Sequence, residues 1–157
     1  MTKGQALAAV VLTHLAISVV HGQAHAGAQV PLPFAGTLFV YIIILAGPLI
    51  GLGFFRWRPR EGAWIVAASM SGALVFGLIN HFIIDGPDHV AHVAAEWRTL
   101  FGVTAALLVV CEAAGTAVGI WAARPAPSQR SGLRGFTSEV SPQRSGAPTP
   151  NRQDRTS

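Results

Sequence analysis

The sequence predicts an all-α membrane protein, a four-helix transmembrane bundle with both termini cytoplasmic and a disordered C-terminal tail. Three observations carry this. Half of the chain (51%) is apolar and only 11% is charged, whereas a typical soluble domain carries roughly a quarter charged residues. The apolar residues form four long segments, without the alternation of barrel strands. Lysine and arginine are absent from two of the three intervening loops, the asymmetry that orients multi-pass chains.

The first segment, 5–22, follows Lys3 and is interrupted by Thr13 and His14. The second, 34–55, is apolar apart from Thr37, Tyr41, its glycines and Pro48. The third, 63–85, carries Ser69, Ser71, Asn80 and His81, and the fourth, 96–123, carries Thr104, Glu112 and Thr116. Crossing the hydrocarbon layer takes about 20 helical residues, and in lipid only helices or closed barrels satisfy their own backbone. Residues 1–123 are therefore expected to form one transmembrane domain. From 124 to 157 the chain turns rich in Pro, Ser, Gly and Arg. Such a stretch buries too little to order itself and is expected to be a solvated basic tail.

Arg56, Arg58 and Arg60 place the second loop inside, with Lys3 and Arg124 marking both termini as cytoplasmic. The His-bearing loops, 21–33 and 85–95, then face outside. Trp57, Trp64 and Trp121 fall at the inner interface and Trp97 at the outer one, as aromatic belts require. A rival reading exists for the start of the chain. Lys3, the apolar run after it and the triplet Ala24-His25-Ala26 have the layout of a cleavable signal peptide. Gly47/Gly51 and Gly115/Gly119 form GxxxG pairs, with Ser69/Ala73 at the same spacing. These predict close helix packing without naming partners.

The six histidines carry the chemistry. His14, His21 and His25 lie on or just after segment one, and His81, His89 and His92 lie at or after the end of segment three. His14 and His21 are two helical turns apart, and His21/His25 and His81/Asp85 are each one turn apart. His21, His25, His81, Asp85, His89 and His92 are thus the expected ligands of an outward-facing metal site. Imidazole and carboxylate without thiolate suit copper, zinc, nickel or iron. Thr37, Tyr41 and Glu96 are expected to hydrogen-bond and orient the rings. Haem b is the alternative cofactor, held non-covalently because no Cys-x-x-Cys-His motif exists. A third reading is a non-catalytic accessory subunit, partnered by other membrane subunits or by a second copy.

His14 lies ten residues from Gly4 and Glu112 ten from Ala122, at the inner ends of their segments. At 1.5 Å per residue both sit roughly 15 Å deep. Ionisable groups there are costly unless paired, so the two are expected to meet. Six of the eleven basic residues lie in the tail, so the net charge does not signal a nucleic-acid partner. The single cysteine, Cys111, excludes a disulfide framework. No hydrolase triad, phosphate loop or dinucleotide fingerprint is present, and nothing in the sequence reads as an enzyme's catalytic set.

Overall fold

The computed structural model describes residues 1–125; the tail expected over 124–157 lies almost wholly outside the described residues. Within them the chain is all-helical, with no strand. Four helices are long and apolar enough to cross a membrane: α1 (Lys3–Gly27), α2 (Phe34–Phe54), α3 (Pro59–Ile83) and α4 (Ala95–Ala123).

Local signals explain the ends. Thr2 Oγ1 accepts the Gln5 N–H at 3.2 Å while Thr2 N–H donates to Gln5 Oε1 at 2.9 Å, a reciprocal cap that satisfies two orphan donors. α1 continues to Gly27 rather than stopping at 22, because its last turns are packed: Ala24 is fully buried beside Val93 and Phe101. It ends where Gln29 adopts a φ of 53° and Pro31 and Pro33 remove backbone donors. α3 starts at Pro59, ahead of the expected 63. Proline loses nothing at a first helical position, and Glu61 suits the positive end of the helix. Arg58 Nε donates to Glu61 at 3.0 Å. α3 finishes at Ile83 with a π turn over Ile79–Ile83, two residues before the expected end at 85.

α1 and α4 run antiparallel, as their partners show. Lys3 Nζ donates to the Ala122 carbonyl (3.2 Å), Cys111 Sγ to the Val10 carbonyl (3.7 Å), and His21 meets Thr104. α3 packs closely on both α2 and α4. Both GxxxG pairs face it. A Cβ on Gly51 would lie 2.8 Å from the Val66 amide, and one on Gly119 would lie 2.8 Å from the Ala67 Cβ. Two apolar clusters hold the ends of the bundle. Leu7, Val11, Ala63, Val66, Met70, Ala122 and Ala123 fill the end with the N-terminus. Ala24, Val93 and Phe101 fill the other. Between them lie the buried polar groups.

Candidate metal centre

Three of the expected ligands converge. One ring nitrogen from each of His21, His25 and His81 lies within 4.8 Å of the other two. His21 and His25 come from successive turns of α1, and His81 from the π turn of α3. Phe101 of α4 packs against all three rings, its ring centroid 4.8 Å from those of His21 and His25 and 5.2 Å from that of His81. His21 and His81 are both buried.

Hydrogen bonds fix the tautomers. Thr104 Oγ1 donates its one proton to the Leu100 carbonyl at 2.7 Å. It can then only accept from His21 Nδ1, 2.8 Å away. His81 Nδ1 lies 3.1 Å from the Asp88 carbonyl oxygen, which also can only accept. Both Nδ1 atoms therefore carry hydrogens, and in the neutral rings both Nε2 atoms present lone pairs. These two lone pairs face each other at 3.3 Å. With no proton between them the contact is repulsive, and a shared cation makes it attractive. Two nitrogens each 2.0–2.1 Å from a tetrahedral ion stand about 3.3 Å apart, so the pair already has the length of a tetrahedral edge.

The third ring is braced differently. His25 Nε2 lies 3.3 Å from Asp88 Oδ1, leaving a buried His25 Nδ1 with no hydrogen-bond partner. The Asp88 carboxylate is also 3.3 Å from His81 Nδ1. Neither contact is aligned as a hydrogen bond, so both carboxylate oxygens are buried without a directed partner. Asp88 thus sets a negative charge against two rings, where a cation would be neutralised. His21 and His81 each have a hydrogen-bond partner on Nδ1, the pattern that orients metal-bound histidine, while His25 has only the nearby carboxylate.

Asp85, His89 and His92 do not join the cluster. The loop after α3 folds back, with Val90 N–H donating to the His81 carbonyl at 3.0 Å. This turns Asp88 inward and its neighbours outward. His92 Nε2 pairs with exposed Asp85 at 3.1 Å, and His89 Nδ1 accepts from Ala91 N–H at 3.2 Å. Glu96 is exposed. Thr37 donates to the Leu32 and Pro33 carbonyls of its own helix start, because a first-turn hydroxyl finds those acceptors before any ring. Tyr41 is 64% exposed and, among the described residues, its hydroxyl forms no hydrogen bond. The orienting hydroxyl is Thr104 instead. Its signal was in the sequence: Thr104 stands eight residues outward of Glu112 on α4, and His21 seven outward of His14 on α1.

Deeper in the bundle, His14 Nε2 and Glu112 Oε1 lie 3.2 Å apart, their side chains 2% and 3% exposed. Glu112 Oε2 has no hydrogen-bond partner, and Thr116 Oγ1 donates to the Glu112 carbonyl at 2.8 Å. Buried Cys111 is a free thiol that packs between α1 and α4. No protein-family model, no curated protein and no solved structure matches this chain.

Proposed function

We propose that the chain is a multi-pass integral membrane protein that binds a transition metal ion through His21, His25 and His81 on the outer side of the membrane. The supporting observation is the pair of Nε2 atoms 3.3 Å apart, with both Nδ1 atoms engaged by Thr104 and the Asp88 carbonyl. A three-imidazole set beside a carboxylate, without thiolate, suits zinc, copper, nickel or iron. A haem iron would need its two axial nitrogens about 4 Å apart, given metal–nitrogen bonds near 2 Å, with a macrocycle between them. The 3.3 Å contact favours one small ion at the shared edge.

The membrane setting is supported by what the bundle leaves uncovered. Leu12, Val19, Ile50, Val75, Leu107 and Val110 are all exposed, on a scale soluble monomers rarely show. Trp57, Trp64 and Trp121 are exposed at the end bearing the arginines, which we read as the cytoplasmic interface. The lipid bilayer is the partner this surface fits. Further membrane subunits, or a second copy, would sit on the same apolar faces.

The test is metal content and an absorption spectrum on the purified full chain. The reading expects one metal ion per chain and no Soret band, with the ion lost from His21→Ala and His81→Ala. A metal-free protein that binds none of the four ions would overturn it.

A further inference from the structure

Beneath the three histidines lies a cavity of about 240 Å³ that reaches from their rings to Glu112. Its walls are mainly apolar, among them Val40, Ile44, Phe76 and Leu108. The α2 wall is a π-helical stretch, Val40–Ala46, a distortion that recurs at functional sites. Ala73 and Gly77 of α3 hold the space open. A Cβ on Gly77 would lie 3.9 Å from Glu112 Oε2 and 3.9 Å from the His81 ring, so Gly77 stands between the two polar ends.

An apolar cavity of about 150 Å³ takes up benzene, and this one is larger. Unlike such a cavity it contains a directed polar group. Glu112 is among its lining residues; Oε1 is engaged by His14, while Oε2 of the same buried carboxyl has no partner and lies beside Gly77. Leaving a buried acceptor unmet is expensive, and a ligand donor would remove that cost.

We propose that the cavity is a binding site for a small, mainly apolar molecule the size of a phenol, carrying one O–H or N–H donor that bonds Glu112 Oε2. The ring occupies the space bounded by Phe76, Leu108 and the π-helical wall. Its other end approaches His81, within reach of an ion at the histidines. The inference does not rest on the metal reading, because cavity and carboxyl are present without an ion.

The experiment uses the metal-free full chain in detergent and fluorine NMR of two probes of matching shape, para-fluorophenol and para-fluorotoluene. The phenol is expected to bind one saturable site at least about ten-fold more tightly than the toluene, the worth of meeting a buried acceptor that otherwise has no partner. Glu112→Gln should weaken the phenol about five-fold and leave the toluene unchanged, since an amide offers one acceptor oxygen where the carboxyl offers two. Gly77→Val should exclude both probes. Equal binding of the two probes would mean an apolar void suited to an acyl chain, and non-saturable uptake would mean partition into the micelle. Either overturns the proposal, and both comparisons can be made on the native chain even if a variant fails to fold.

Discussion

Thr104 passes its hydroxyl proton to Leu100 and keeps a lone pair for His21. Thr104→Val should therefore free the His21 ring and weaken metal binding about 10- to 100-fold, with Thr104→Ser retaining most of it. Titration calorimetry of the two variants measures this, and Tyr41→Phe is the control expected to change nothing. Acidification from about pH 7.5 to 5.5 should lower metal affinity, because protons compete for the nitrogens that must be neutral to bind. A pH-independent affinity would mean that imidazole does not ligate. Breaking the buried pair by His14→Ala or Glu112→Ala should cost about 3–5 kcal/mol, since it strands one polar partner. A double-mutant cycle in denaturant melts should recover part of that cost. His21, His25 and His81 were legible from their place near one end of their helices, whereas Asp85, His89 and His92, placed in the site by the same reasoning, lie outside it; the matched depth of His14 and Glu112 was legible too. The inward turn of Asp88 was not, because it depends on a loop that closes through Val90 and the His81 carbonyl, a contact no residue spacing encodes.

At the level of the helix, Gly51 and Gly119 set how near α2 and α4 come to α3. Gly119→Ala would push a Cβ against Ala67 and should cost about 1–3 kcal/mol through overpacking. Gly53 has nothing within 4 Å of its Cβ position, so Gly53→Ala should be neutral or stabilise by up to about 1 kcal/mol. Thermal unfolding in detergent separates the two. The GxxxG spacing revealed that close packing exists, but small residues sit on several faces of these helices, so it could not say that α3 is the shared partner. The two π segments were equally hidden. A π turn differs from an α turn by one step in hydrogen-bond register, and the composition of Ile79–Ile83 favours neither. The helix ends differ from the apolar run at Pro59, where proline suits a first helical position, and at Gly27, where packing of Ala24 carries α1 past residue 22.

Across the whole molecule, the proposed topology makes the outer loops accessible and the arginine loop not. In a Cys111→Ala background, a cysteine at Gln29 should react with an impermeant maleimide on intact cells. One at Arg60 should react only after permeabilisation; the reverse pattern would invert the orientation. Intact-mass analysis should find an N-terminus ahead of His14. A mature chain starting at Gly27 would lack His21 and His25 and could not form the centre described. The centre draws on α1 and α3 for its rings and on α4 for Thr104 and Phe101, so its parts are made at opposite ends of synthesis. In the proposed membrane setting, His14 would wait during synthesis for a carboxyl nearly a hundred residues behind it. Such distant pairings form late. Ion uptake would then report that the last helix is in place, since a polypeptide stalled after α3 would carry all three imidazoles but lack the Thr104 hydroxyl and the Phe101 ring packed against them.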